Sequence, residues 1–178
     1  MTKETVSSPM TTSRPVAFLL GSDSDLPTLE GAFKTLQELG VGFHVRVLSA
    51  HRTPDEACQF ARTAKEQGVR VLIGVAGMAA HLAGALAAHS LLPVIGVPID
   101  SGPLRGEDAL LSTVMMPPGI PVAATGIGQA AAKNAALFAV RILALSDQAL
   151  ATKLDALRTA ERDKTLAKDR DVRARFGC

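Results

Sequence analysis

The stretch Val47-Leu48-Ser49-Ala50-His51-Arg52-Thr53-Pro54 decides how the rest of this 178-residue chain is interpreted. A β-branched run over residues 43–48 ends in a small polar turn, and Pro54 then opens a helical pattern. Ligands of parallel α/β sheets bind outside the carboxyl ends of the strands. An imidazole exchanges protons near neutral pH, and a guanidinium is a permanent cation suited to carboxylates and phosphates. His51 and Arg52 are therefore candidates for a functional site, and the structural alternative is a capping histidine beside a solvated arginine.

Apolar segments that alternate with helical segments extend this pattern over most of the chain. Strands are predicted over residues 16–20, 43–48, 70–75, 93–99 and 120–125, and helices over 26–39, 54–67, about 82–90 and 129–145. Strands that are apolar throughout, with helices between them, are typical of a parallel sheet covered on both faces. We therefore predict a three-layer α/β/α sandwich around a five-stranded parallel sheet.

Composition limits the class of protein. The chain is 47% apolar but only 3% aromatic, so one aliphatic, alanine-rich core is expected. A formal net charge of +2 is too small to predict a nucleic-acid partner. No apolar run reaches the 18 residues of a membrane span, so a membrane partner is not expected either. Cys58 and Cys178 have neither metal-ligand nor disulfide-framework spacing. That spacing suits a reducing compartment, and we expect a cytoplasmic protein.

The two ends of the chain differ from its middle. Residues 1–15 are rich in Ser and Thr and are predicted to form a disordered tail, residues 16–157 a single catalytic domain, and residues 158–178 a charged extension. Residues 146–178 are predicted to be one further helix, on which Leu150, Leu154 and Leu157 form an apolar stripe. We favour contact of this stripe with a second subunit, and the alternative is packing on its own sheet.

The loop Gly21-Ser22-Asp23-Ser24-Asp25 leaves the first strand and enters a helix. Backbone N–H groups and serine hydroxyls at such a junction can bind a phosphate. Asp23 and Asp25 would repel it, so one of them is expected to face a sugar hydroxyl or an amine, or to cap the helix. We expect both Ser22 and Asp25 on an exposed turn. A magnesium site is disfavoured because no third carboxylate lies nearby in the sequence.

Three further features have weaker interpretations. The stretch Gly126-Ile127-Gly128-Gln129-Ala130-Ala131 matches a dinucleotide-binding pattern, but it follows the last predicted strand, and close helix packing is favoured. Residues 100–118 form a loop long enough to be a lid or a binding loop. His81 opens a helix at the same sheet edge as His51, whereas structural roles are favoured for His44 and His89. The four histidines do not form a metal-ligand pattern.

Five ordered motifs carry a family resemblance that covers residues 16 to about 157. They are Gly21-Ser22-Asp23-Ser24-Asp25, Ser49-Ala50-His51-Arg52-Thr53-Pro54, Ala79-Ala80-His81-Leu82, Gly96-Val97-Pro98 and Met116-Pro117-Pro118-Gly119-Ile120-Pro121-Val122. In this order and spacing the chain resembles the 5-(carboxyamino)imidazole ribonucleotide mutases of purine biosynthesis, the catalytic subunits of phosphoribosylaminoimidazole carboxylase. The resemblance implies a flavodoxin-like fold, a homo-octamer with sites between subunits, and transfer of a carboxylate from an exocyclic nitrogen to ring carbon 4 without metal or cofactor.

The resemblance also implies roles for individual residues. Ser22, Asp25 and Arg52 match nucleotide-binding positions, His51 matches the catalytic acid and base, and Ala79 to Leu82 match the segment that lines the carboxylate pocket. The predicted substrate-binding residues are Ser22, Asp25, Ser49, Ala50, Arg52, Gly77, Ala79 and His81. Arg52-Thr53-Pro54 resembles the mutase branch, because enzymes that fix carbon dioxide directly tend to have Lys-Gly-Pro there. Met78 and Ala83 depart from the family, which usually has Gly and Pro at these positions.

The proposed chemistry also suits the residues considered by themselves. A carbamate loses carbon dioxide once its nitrogen is protonated, and an enamine-like ring carbon can capture that carbon dioxide if water is excluded. One histidine can serve both proton transfers. The alternatives left open are direct carboxylation of aminoimidazole ribonucleotide with carbon dioxide and a mononucleotide-binding module without catalysis.

Overall fold

Five parallel strands in the order β2-β1-β3-β4-β5 form a single sheet in the computed structural model, which describes residues 13–177. The strands are β1 (Val16–Leu20), β2 (Phe43–Val47), β3 (Val71–Gly77), β4 (Val94–Ile99) and β5 (Ala123–Ala124). The helices are α1 (Leu26–Leu39), α2 (Pro54–Thr63), α3 (Leu82–His89), α4 (Glu107–Val114), α5 (Gln129–Ala144) and α6 (Gln148–Phe176). A short 3₁₀ turn, Asp23–Asp25, precedes α1. The predicted three-layer α/β/α sandwich with a flavodoxin-like sheet is confirmed.

Alternation of side chains along β1 divides the core into two layers. Phe18 and Leu20 face α1 and α5, whereas Ala17 and Leu19 face α2 and α3, and all four are fully buried. On α5 the buried face is built of alanines, which allow the helix backbone to approach the sheet closely. Close packing of α5 on the sheet therefore explains why residues 126–131 are rich in glycine and alanine.

The structure corrects three element predictions. The stretch 100–118 is not a bare loop, because α4 lies within it and buries Ala109 and Thr113. Only these two positions of α4 are fully buried, whereas Leu111 and Val114 stay exposed, so its buried positions form no helix-long apolar stripe. Strand β5 covers two residues rather than 120–125, since it is a sheet edge and Pro121 has no N–H to donate. Helix α2 ends at Thr63, and turns continue the chain to Gly68.

Helix α6 packs on its own domain through its first turns. Leu150 is buried in the core shared by β1 and α5, and Leu154 and Leu157 pack against the same core. The ammonium of Lys153 donates to the carbonyl oxygen of Leu39 at 2.9 Å. The stripe therefore lies against its own chain, which corrects our preference for a second subunit. Truncation before α6 would remove core contacts and destabilise the subunit itself.

The predicted chain ends are only partly described. Residues 1–12 and Cys178 lie outside the described residues, and residues 13–15 have no regular secondary structure. The domain boundary predicted at residue 157 falls inside α6 and stays a prediction. Cys58 is a free thiol. Within residues 13–177 no helix is both long and apolar enough to cross a membrane.

Candidate active site

A cavity of about 570 Å³ lies at the carboxyl edge of the sheet, where the loops after β1, β2, β3 and β4 meet. All nine predicted site residues line it, namely Ser22, Asp25, Ser49, Ala50, His51, Arg52, Gly77, Ala79 and His81. Gly21, Ser24, Ala76, Met78, Leu82 and Ser101 also line it. Parallel strands deliver their carboxyl ends to one edge, so residues far apart in sequence meet there.

The loop after β2 is held by its own small polar side chains. The hydroxyl oxygen of Ser49 accepts hydrogen bonds from the N–H groups of His51 and Arg52, at 3.3 Å and 3.2 Å. The hydroxyl oxygen of Thr53 in turn accepts from the Ser49 N–H at 2.8 Å. These bonds close the turn and present the His51 and Arg52 side chains to the cavity, so Ser49 positions its neighbours as well as lining the site.

His51 and His81 are in direct contact. The Nε2 atom of His51 lies 2.8 Å from the Nδ1 atom of His81, and the two rings meet edge to face with centroids 4.9 Å apart. One of these two nitrogens donates and the other accepts. His81 reaches this position from the N-terminal end of α3. The sequence placed both residues at one edge of the sheet but did not predict the contact between them.

The loop after β1 is tied to the loop after β2. The guanidinium of Arg52 donates a hydrogen bond to the carbonyl oxygen of Gly21. Ser22 caps the 3₁₀ turn, and its hydroxyl oxygen accepts hydrogen bonds from the Ser24 N–H at 3.3 Å and from the Ser24 hydroxyl at 2.8 Å. Arg52 therefore brings a positive charge to the serine-rich loop, an arrangement suited to an anionic group.

Asp25 is buried, which corrects the expectation of an exposed turn. Its side chain is only 6% exposed, and this burial raises the pKa of the carboxyl group. A backbone hydrogen bond from Ser22, the Ser24 hydroxyl and the charge of Arg52 each act in the opposite direction, while Asp23 adds to the increase. Desolvation dominates because the carboxylate loses more hydration than these partners replace.

Asp25→Asn is expected to raise the free energy of unfolding at pH 7. An acid whose pKa is higher in the folded than in the unfolded chain binds more protons when folded, so its contribution to stability falls as pH rises through this window. Asparagine removes that penalty. Urea unfolding at several pH values should show that the free energy of unfolding of the variant, relative to that of the wild type, increases from acidic to neutral pH. A parallel pH dependence in the two proteins would contradict the assigned cause.

Sequence reasoning did not single out Ser101 and Ser112. A Cβ atom added to Gly77 would overlap the Ser101 hydroxyl oxygen and lie 3.1 Å from the Ser101 Cβ atom, so glycine at residue 77 lets the loop after β4 lie close to β3. The Ser112 hydroxyl on α4 accepts a hydrogen bond from the Ala80 N–H at 3.0 Å and anchors the loop that carries Ala79 and His81. The position of Ser101, two residues after the end of a strand, was the available sequence signal.

The glycine-rich stretch over residues 126–131 lies outside this arrangement. Neither Gly126 nor Gly128 lines the cavity, and the N–H of Gly128 instead donates to the carbonyl oxygen of Pro98 at 3.2 Å. Across residues 13–177, no group of three or more His, Cys, Asp or Glu side chains is arranged to hold a metal ion.

Comparison with known proteins identifies relatives that cover most of this chain. Residues 15–164 match the family model described as AIR carboxylase. A Brucella melitensis protein named N5-carboxyaminoimidazole ribonucleotide mutase is 53% identical over 146 residues, which cover 82% of this chain and 90% of that relative. A relative of the same name from Escherichia coli K12 is 49% identical and covers 85% and 89%.

Solved structures show the same fold. The crystal structure of Treponema denticola PurE superposes with a TM-score of 0.79 at 27% sequence identity and covers 88% of this chain and 96% of its own. The family match spans most of the chain, including every residue that lines the cavity. The chain belongs to the AIR carboxylase family.

Proposed function

We propose that this protein moves the carboxylate of N5-carboxyaminoimidazole ribonucleotide from the exocyclic nitrogen to ring carbon 4, in purine biosynthesis. The observation that carries the proposal is the direct contact between His51 and His81 in a cavity that also contains an arginine and a serine-rich turn. The names of relatives near 50% identity support the same reaction. Arg52-Thr53-Pro54 favours the mutase over direct carboxylation.

Substrate binding is assigned to the loops after β1 and β2. Ser22 and Ser24 present hydroxyl groups at the 3₁₀ turn, and Arg52 brings a permanent positive charge next to them. These groups suit the ribose phosphate. Asp25, being buried at the same loop, is assigned to a ribose hydroxyl, since a carboxylate accepts hydrogen bonds and would repel a phosphate.

His51 is assigned both proton transfers. It donates a proton to the exocyclic nitrogen, the bond between that nitrogen and the carboxyl carbon breaks, and carbon dioxide remains in the cavity. Ring carbon 4 then forms a bond to carbon dioxide, and His51 takes the proton that this carbon carried. No proton is gained or lost overall, so the residue ends the cycle in the state in which it began.

His81 is assigned a positioning role through its contact with His51. A hydrogen bond at Nε2 selects the tautomer of the His51 ring and limits its rotation. Within residues 13–177 the Nδ1 atom of His51 has no hydrogen-bond partner, and this nitrogen is therefore the one assigned to the substrate. The folded chain thereby orients a reacting group before the substrate arrives, and such orientation is in general a large contribution to catalysis.

The proposal predicts turnover with the carbamate substrate alone. Purified protein should convert N5-carboxyaminoimidazole ribonucleotide in excess EDTA and without ATP or biotin, because carbon dioxide comes from the substrate and His51 moves the protons. The same protein given aminoimidazole ribonucleotide and bicarbonate should be much slower. A faster reaction with bicarbonate would favour direct carboxylation. Binding of the nucleotide without turnover would favour a mononucleotide-binding module. Activity that is lost in EDTA and restored by a divalent ion would show a metal-dependent reaction.

We also propose a cytoplasmic homo-oligomer, with the octamer implied by the family resemblance. Exposed large apolar side chains support self-association, since Leu111 and Val114 on α4, Met115 after it and Leu91 between α3 and β4 are each more than half exposed in the single chain. Light scattering of the purified protein measures the mass directly. A monomer would contradict this proposal.

A further inference from the structure

The loop after β3 determines where the His81 ring lies. It consists of residues 78–81 and joins β3 to α3. Met78 has a left-handed backbone, with a φ angle of +54°, which a side chain disfavours. Such a conformation persists only where the surrounding structure holds it. The path of this loop therefore depends on contacts from other segments of the chain.

The hydroxyl of Ser112 supplies such a contact from α4. It accepts a hydrogen bond from the Ala80 N–H at 3.0 Å, and it donates to the carbonyl oxygen of Asp108 at 2.8 Å. The bond to Asp108 uses the single hydroxyl proton, which leaves an oxygen lone pair for the Ala80 N–H. Ala80 is only 3% exposed, so little water can replace a lost partner of its N–H group.

Helix α4 is itself packed closely on the sheet. Ala109 and Thr113 are buried, and a Cβ atom added to Gly96 of β4 would overlap the Thr113 side chain. Before the first turn of the helix, a Cβ atom added to Gly106 would lie 2.9 Å from the carbonyl oxygen of Ile99. Closely packed interiors have few gaps into which an element can shift. The Ser112 hydroxyl therefore has a fixed position relative to β3 and β4.

The residue that Ser112 anchors directly precedes His81 in the chain. The Nδ1 atom of His81 lies 2.8 Å from the Nε2 atom of His51. A contact of about 3.6 Å between these nitrogens would no longer be a hydrogen bond, so a displacement of the loop on the order of 1 Å is enough to break it. The contact between the two histidines therefore depends on how accurately Ala80 is held.

We infer that Ser112 is a positioning residue for the proposed reaction and acts through Ala80 and His81 on His51. This inference rests on the proposed function and adds to it a residue that no sequence motif indicated. Ser112 does not line the cavity, so it neither binds the substrate nor exchanges a proton with it. Its hydroxyl holds the loop so that His81 meets His51, and this contact selects one tautomer and one orientation of the His51 ring.

The first test compares the rate of the chemical step with nucleotide affinity in Ser112→Ala. We expect single-turnover conversion of N5-carboxyaminoimidazole ribonucleotide to slow about tenfold, which corresponds to about 1.4 kcal/mol in the barrier. Affinity is measured by calorimetric titration with aminoimidazole ribonucleotide, which lacks the carboxylate and does not react by itself. It should stay within about twofold of the wild type, because the loops after β1 and β2 are unchanged.

A double variant tests whether Ser112 acts through His81. In a His81→Ala background the contact with His51 is already absent, so Ser112→Ala should change the single-turnover rate by less than about twofold. A residue that only supported the fold would instead lower the rate by the same factor in both backgrounds. Thermal melting of the wild type, the two single variants and the double variant shows whether each protein is folded at the assay temperature.

Two further variants isolate the hydroxyl group. Ser112→Thr keeps it and should retain a rate within about threefold of the wild type. Thr113→Val is the matched control, because the Thr113 hydroxyl donates to the carbonyl oxygen of Ala109 in its own helix at 2.7 Å. This variant removes a hydroxyl from the next residue of α4 but leaves the bond to Ala80 in place, so the rate should stay within about twofold.

Several outcomes would overturn the inference. Equal losses of rate in the wild-type and His81→Ala backgrounds would assign Ser112 to stability alone. A loss of nucleotide affinity as large as the loss of rate would show that Ser112→Ala distorts the whole site, and a slow Ser112→Thr protein would show that the hydroxyl is not what matters. If the wild type does not convert the carbamate substrate, the proposed function fails and this inference fails with it. Normal wild-type turnover with a normal Ser112→Ala variant removes the inference alone.

Discussion

Replacement of His51 by asparagine is expected to lower turnover by about 10² to 10⁴, the usual contribution of a general acid and base. Asparagine is planar and polar but cannot exchange a proton near pH 7. The hydrogen bond from the backbone N–H of residue 51 to the Ser49 hydroxyl oxygen does not depend on the side chain at residue 51. The His51 side chain is also exposed. We therefore expect an unchanged melting temperature and nucleotide affinity within a few-fold of the wild type.

The matched control for this variant is His89→Asn. His89 lies at the end of α3 and does not line the cavity. Its Nδ1 atom donates a hydrogen bond to the Ala85 carbonyl oxygen at 2.8 Å. Its replacement should leave turnover within a few-fold of the wild type. Single-turnover kinetics, calorimetric titration and thermal melting distinguish the two cases. A folded, correctly assembled His51→Asn protein with turnover within tenfold of wild type would remove His51 from the mechanism.

Gly74→Ala is expected to cause a large loss of stability for the addition of a single methyl group. A Cβ atom at this position in β3 would lie 2.8 Å from the Cα and 2.9 Å from the backbone nitrogen of Ala83 on α3. Backbone atoms cannot rotate away, so the helix must move off the sheet. Overpacking of this kind costs about 1–3 kcal/mol or more. Turnover should fall as well, because α3 carries His81 at its N-terminal end.

Gly31→Ala serves as the control for that experiment. Gly31 lies on the exposed face of α1, and an added Cβ atom there meets nothing within 4 Å. Alanine should raise the free energy of unfolding by about 0.5–1 kcal/mol through the conformational entropy of the chain. Urea unfolding compares the two variants, and a Gly74→Ala protein as stable as wild type would show that α3 can shift freely. The double variant Gly74→Ala with Ala83→Gly should recover only part of the loss, because the backbone atoms of residue 83 remain in place.

The sequence predicted much of the fold because its signals are local. Apolar strands, glycine stops and Pro54 at a helix start each depend on a few neighbouring residues, and parallel strands then bring the loops that follow them to one edge. That argument placed Ser22, His51 and His81 at the same edge, and all nine predicted residues line the cavity. Their chemical roles stay predictions. Helix α4 was missed because its buried positions, Ala109 and Thr113, form no helix-long apolar stripe.

By itself, the sequence determined the layer architecture, the family and the set of loops that carry the site. Tertiary structure alone decided the contact between His51 and His81, the burial of Asp25, the docking of α6 on its own core and the left-handed backbone of Met78. The physical reason is separation along the chain. Each of these features depends on distances and solvent access set jointly by segments tens of residues apart, and no local pattern of side chains encodes them.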